Sequence, residues 1–159
     1  MMHTRTQTHA GRFADAAAEE LLTMHSFVTL LEHERSALGE GQADALPRLA
    51  AEKTTLAEVL SRCAGQRARL LELAGLSGTA AGVRQLLVAD PDAQEIWRTL
   101  LAVAQHAAEL NSGNSYLVNQ RLAHVERAID SISGPRTSLY STSGVNSFGS
   151  AGSRSLAQG

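Results

Sequence analysis

Histidines, a cysteine and side-chain amides are the residues through which this chain could do chemistry, and their spacing decides whether it does. Six histidines are present: His3, His9, His25, His33, His106 and His124. On a helix, a carboxylate three or four residues from a His shares its face, the geometry that builds di-metal and metalloprotease sites. No His here has a Glu three or four residues before it, or a Glu, Asp or His four residues after it. They read as solvated surface residues, and no metal or other cofactor is expected. The single cysteine, Cys63, falls on an apolar stripe, with Arg62 and Arg67 near it but no histidine. A nucleophilic thiolate needs a base and an exposed, electropositive setting, so Cys63 reads as a structural thiol. Gly144, Gly149 and Gly152 do not sit between a strand and a helix, so no phosphate-cradling loop is predicted. The chain is not expected to be an enzyme or to act on a small molecule.

The stretch Glu109-Leu110-Asn111-Ser112-Gly113-Asn114-Ser115-Tyr116-Leu117-Val118 stands out. Asn, Ser and Gly are mediocre to poor helix formers, because they compete for or loosen the backbone. Yet apolar periodicity reaches this stretch through Ile96, Leu100, Val103, Ala107 and Leu110, and leaves it through Val118, Leu122, Val125, Ile129 and Ile132. The stripe shifts by about one residue across it. A first half is expected to pack inward and a second half to meet a partner. Gly113 and the small serines are expected to permit close helix approach, while Asn111 and Asn114 can hydrogen-bond a neighbouring backbone or a client. The stripe past residue 117 has two readings. It could complete the chain's own bundle, or it could form an open groove read by a partner helix at i, i+3, i+4 and i+7.

The elements that must position these residues are helices. Aromatics make up 4 % of the chain, and Ala and Leu dominate its apolar set, which favours helix over strand. A first helix is predicted from about Phe13 to Leu38, with a seam of Leu21, Met24, Val28, Leu31 and Leu38 that carries Arg35 at one turn. Gly39-Glu40-Gly41 ends it. Asp44 is the expected N-cap of a second helix, with Pro47 in its first turn and a seam of Leu46, Leu49, Leu56, Leu60, Cys63, Leu70 and Ala74 holding Lys53 and Arg67 in register. The short link makes the two helices antiparallel neighbours. Lys53 could pair with the neighbouring helix or equally remain a solvated rim charge, and Trp97 reads as a core anchor. A short helix is predicted around Val83–Val88. Asp90-Pro91 then starts a third long helix running to about Ile132, and Gly134-Pro135 stops it.

The expected architecture is all-α: an elongated antiparallel bundle of three long helices plus a short one. Residues 1–11 are expected to be flexible and 12–133 to form the helical domain. Residues 134–159, Ser/Gly-rich and without an acidic residue, cannot bury enough apolar area to offset ordering and read as a disordered tail. Leu139-Tyr140, Phe148 and Leu156 are isolated anchors there. The formal net charge of −2 gives no basic excess for nucleic acid. One cysteine allows no intramolecular disulfide, and no apolar run approaches the ~18 residues of a membrane span. Together with a polar N-terminus these features lead to the expectation of a cytoplasmic protein.

Three stretches resemble the FlgN family, cytosolic chaperones of flagellar type III export. Leu30-Leu31-Glu32-His33-Glu34-Arg35-Ser36-Ala37-Leu38 is similar to the family's L-L-x-x-E-x-x-A-L. Leu49-Ala50-Ala51-Glu52-Lys53-Thr54-Thr55-Leu56 resembles its L-x-x-x-K-x-x-L, and Leu110-Asn111 through Asn114, Leu117, Val118 and Arg121 resemble L-N-x-x-N-x-x-L-I. The resemblance covers about residues 15–140, with no family motif near Val83–Val88. It implies a chaperone that binds the C-terminal helical segments of the two hook-associated (hook–filament junction) proteins and delivers them to the export gate. It places client binding on Asn111, Asn114, Leu117, Val118, Arg121, Leu122, Val125 and Ile129, and gate docking on Leu139 and Tyr140. The heptad seams leave a second reading open, a self-associating coiled-coil protein without a client, and a homo-oligomer is possible under either.

Overall fold

The computed structural model describes residues 8–133. The expectations for residues 1–7 and for the tail, with Leu139 and Tyr140, lie outside the described residues. Among the described residues the chain forms four helices and no strand, as the composition predicts: α1 (His9–Glu40), α2 (Leu46–Leu73), α3 (Ala80–Leu87) and α4 (Pro91–Ser133), with a 3-10 turn at Ala43–Ala45. The chain divides into two units, Met1–Leu122 and Ala123–Gly159. Residues 123–133 are the described part of the second unit and are helical throughout.

Local chemistry sets the helix ends. The Thr8 hydroxyl accepts from the Gly11 N–H at 3.1 Å, so α1 begins at His9 and takes in residues expected to be flexible; the cap lay inside a stretch that reads as merely polar. Gly41, in the left-handed region at φ 75°, closes α1, and the Gln42 N–H returns to the Ala37 carbonyl at 2.9 Å. Asp44 does not cap α2. It lies in the 3-10 turn, and Ala45, the residue before α2, is already in the right-handed region with no side-chain cap. A side chain reaches back to the first turn from an extended N-cap residue, which this turn does not provide. Thr79 caps α3 and Asp90 caps α4, its Oδ1 accepting from the Ala93 N–H at 3.0 Å. The Gln94 amide donates to the Leu87 carbonyl at 2.8 Å, tying the start of α4 to the end of α3.

Packing within the first unit follows a heptad frame on each long helix. On α1 the inward positions are Phe13, Ala17, Glu20, Met24, Phe27, Leu31, Glu34 and Leu38, all buried or half-buried, while Arg35 is exposed. Met24, Leu31 and Leu38 of the predicted seam point inward and Leu21 and Val28 are half-buried beside them, but the charge in the seam is Glu34 and not Arg35. Glu20 meets Arg67 and Glu34 meets Lys53. These pairs run in opposite chain directions, so α1 and α2 are antiparallel. Phe13 meets Trp97 edge-to-face with centroids 5.5 Å apart, and Leu31 meets Asn114 at nearly the same sequence offset. α1 and α4 therefore run parallel. The main core joins all four helices through Phe13, Ala14, Ala17, Leu71, Val83, Leu87, Ala93 and Leu100.

The buried Glu20 carboxylate, 4 % exposed, is bound in a two-pronged fashion by Arg67. The Nε donates to one oxygen and a terminal nitrogen to the other. The same guanidinium lies 4.9 Å above the Trp97 ring. Three helices thus converge on one cation. Arg67→Ala strands a buried carboxylate and should cost about 3–5 kcal/mol in urea unfolding, with Glu20→Gln/Arg67→Leu recovering most of it. A Cβ at Gly82 would run into the Ser77 carbonyl oxygen, which is backbone and cannot yield easily. Gly82→Ala should therefore lower stability by about 1–3 kcal/mol in the same assay.

Candidate functional site

The unusual helix at Asn111–Ser115 is held by hydrogen bonds that its own residues make. Ser115 Oγ donates to the Asn111 carbonyl one turn back at 3.0 Å, a bond that lets Ser persist in a helix. Asn114 points inward and is 1 % exposed. Its Nδ2 donates to the Leu31 carbonyl and to Glu34 Oε2, each at 2.8 Å. Glu34 in turn accepts from Lys53 Nζ at 3.1 and 3.2 Å. One amide, one carboxylate and one ammonium so connect α4, α1 and α2. The Oδ1 atoms of Asn111 and Asn114 are buried and have no hydrogen-bond partner among the described residues. Of the two readings of Lys53, the structure shows the pairing with the neighbouring helix. Of the two roles the sequence leaves open for Asn114, the structure shows the bond to a neighbouring backbone: its amide is buried and bonded inside the first unit. Gly113 is a correction, because a Cβ there would meet nothing within 4 Å, so it does not serve close helix approach.

Two columns of side chains run along α4 in this region. The inward frame of Ile96, Leu100, Val103, Ala107 and Leu110 continues through Asn114, Leu117 and Arg121. Two of those three are polar. The column one residue later holds Val118 and Leu122, which are 38 % and 56 % exposed. The predicted one-residue shift is present. The seam turns polar where it stays inside, and the apolar residues stand outside it. In the second unit, Val125, Ile129 and Ile132 are 52 %, 40 % and 86 % exposed. Burying a Val, Leu or Ile fully would contribute about 1.5–3 kcal/mol each, so this exposure is costly unless something covers it.

A cleft of about 600 Å³ lies between the start of α1 and the α3–α4 link. Leu86 and Ile96 line it with Asp15, Asp90 and Asp92, and Asp90 is already used as a cap. No histidine, cysteine, lysine or arginine lines it. Among the described residues no group of three His, Cys, Asp or Glu could hold a metal ion, and no helix is long and apolar enough to cross a membrane. Burial, then the charges of Glu20 and Glu19, push the Cys63 thiol up, against the opposing pull of Arg62 and Arg67.

A family model, FlgN protein, matches residues 2–147. The chain belongs to the FlgN family. Its general role is thereby that of a flagellar export chaperone. No curated protein and no solved structure matches the chain. The FlgN match extends past the described residues to include the positions of Leu139 and Tyr140. The polar tie of Glu34, Lys53 and Asn114 falls on the family-like stretches of α1, α2 and α4, so those stretches meet in space. Glu20 and Glu34 are what the sequence reading missed as seam residues. They lie fourteen residues apart, as Lys53 and Arg67 do, and that matched spacing was the available signal.

Three measurements check this geometry. Asn114→Asp places a second carboxylate beside Glu34 in a buried site and should destabilise by about 2–4 kcal/mol in urea unfolding, whereas Asn114→Leu should be near neutral. Gly113→Ala should stabilise by about 0.5–1 kcal/mol, since it removes backbone freedom without a clash. Cys63 should react with iodoacetamide at neutral pH more slowly than an unstructured cysteine peptide, because less of it is thiolate.

Proposed function

We propose that this FlgN-family protein is a cytosolic chaperone that holds the C-terminal helical segments of the hook–filament junction proteins before assembly and delivers them to the type III export gate. The observation that carries the reading is the exposure of Val118 and Leu122 in the first unit and of Val125 and Ile129 in the second. Val118, Leu122, Val125 and Ile129 are the proposed anchors, with Leu117 and Arg121 at the margin and Asn111 beside them. A client helix laid on such residues buries apolar surface that would otherwise drive premature polymerisation. The event requires no bond to be made or broken. Binding energy comes from desolvation, reduced by the cost of ordering the client, which keeps the complex reversible enough for handover.

Leu139 and Tyr140 are proposed as the gate-docking pair, separate from the client anchors. A binding experiment with a C-terminal peptide from a junction protein tests the reading. Leu122→Ala and Val125→Ala should each weaken that complex roughly fivefold to tenfold without lowering helicity. Tyr140→Ala should leave the peptide affinity unchanged and reduce capture of the chaperone–client complex by the cytosolic domain of the gate protein. Wild-type protein that binds neither junction protein would refute the client assignment, and a Tyr140→Ala protein that cannot bind the peptide would refute the division of labour.

A further inference from the structure

The two buried amide oxygens on α4, Asn111 Oδ1 and Asn114 Oδ1, have no hydrogen-bond partner among the described residues. A buried acceptor that has lost water and gained no donor is costly, and here two of them share one helix turn. For Asn114 the orientation of the amide is fixed. Its Nδ2 lies 2.8 Å from both the Leu31 carbonyl and Glu34 Oε2. Both of these are acceptors, so only the nitrogen can stand there. The Asn114 Oδ1 therefore needs a donor from elsewhere. Lys53, the cation of this tie, already donates to both oxygens of Glu34.

Asn111 is under no such constraint. It is half-buried, with its oxygen at the buried end of the amide and its nitrogen toward solvent. Half a turn of the terminal torsion exchanges that oxygen and nitrogen and leaves the shape of the group unchanged. Residues three apart on a helix have Cβ atoms about 5–6 Å from each other. Helical side chains also lean toward the N-terminus, so Asn114 leans over the turn that carries Asn111.

We infer that Asn111 turns its amide inward and donates from Nδ2 to Asn114 Oδ1. One bond then satisfies both groups, because the Asn111 oxygen passes to solvent, which supplies donors. The hydrogen-bonded chain runs from Lys53 on α2 through Glu34 on α1 to Asn114 and Asn111 on α4. Asn111 is thereby a positioning residue: it holds Asn114 with its nitrogen toward Leu31 and Glu34. A bridging water is the competing donor, but it needs a space of its own between the two oxygens. The turned amide needs no added volume. The inference is independent of the client reading, since every group in it belongs to this chain.

The test uses the full chain, with asparagine side-chain amides followed by NMR and stability by urea unfolding. The bonded Asn111 amide proton should exchange with water about tenfold more slowly than the amide protons of Asn119, which is exposed. That protection should disappear in Asn114→Leu. Asn111→Ala should lower the folding equilibrium constant about fivefold to tenfold more in the wild-type chain than in the Asn114→Leu chain, a comparison in which helix propensity cancels. Exchange at Asn111 as fast as at Asn119 would overturn the inference, and so would an equal cost of Asn111→Ala in both chains. Coupling between the two positions without protection at Asn111 would assign the donor to a bridging water and overturn it as well. The exchange measurement needs only the wild-type chain, so it decides the matter even if a variant fails to fold.

Discussion

Register is the constraint on which the first unit depends. A bundle built from Leu, Ala and few aromatics has many nearly equivalent ways to pack, because a seam shifted by one heptad still buries Leu against Leu. Two polar ties remove that freedom. Arg67 joins Glu20 while lying over Trp97, and Asn114 joins Leu31 and Glu34 while Glu34 holds Lys53. Each tie touches three helices, and the two are separated by two heptads along both α1 and α2. Sliding α1 or α2 by one heptad would part each carboxylate from its cation, and sliding α4 would part Asn114 from Glu34 and Trp97 from Arg67. Buried ion pairs contribute little net stability, but breaking one is expensive, so they act mainly by excluding wrong alignments. The apolar clusters then fill the space that this alignment defines.

Much of this was legible in the sequence, and the failures have identifiable causes. The four helices, the Gly41 and Asp90 signals and the seam of α2 followed from periodicity and cap chemistry. On α1 the frame was set by Leu21, Val28 and Arg35, because hydrophobicity outweighed pairing in that choice. The real frame accepts Glu20 and Glu34, which look like surface residues until α2 is known to carry Lys53 and Arg67 at the same separation. A single helix cannot disclose that its neighbour will supply the opposite charge. Asp44 failed for a different reason: a 3-10 turn removed the extended residue from which an N-cap works.

The candidate surface was legible as a pattern but not as a placement. The one-residue shift at Asn111–Ser115 was visible in the spacing of the apolar residues. Which column faced inward was not, because Asn114 and Arg121 do not resemble core residues. Gly113 invited an explanation by close packing that its open surroundings do not support. Membership in the FlgN family supplies the general role, and the outer column of α4 is exposed.

Asn114 also determines what α4 does when nothing is bound. Rotating the helix by one residue would swing Val118 and Leu122 under cover and turn Asn114 and Arg121 out to solvent. The same turn would also bring Leu100, Val103 and Leu110 outward, so apolar burial and the polar tie oppose it together. The amide bonds from Asn114 to the Leu31 carbonyl and Glu34 exist only in the unrotated state. They act in the same direction as the burial of Leu100 and Leu110, and together these hold Val118 and Leu122 on the outer side. The exposed column of the first unit is thus fixed from the interior, by polar and apolar side chains at once.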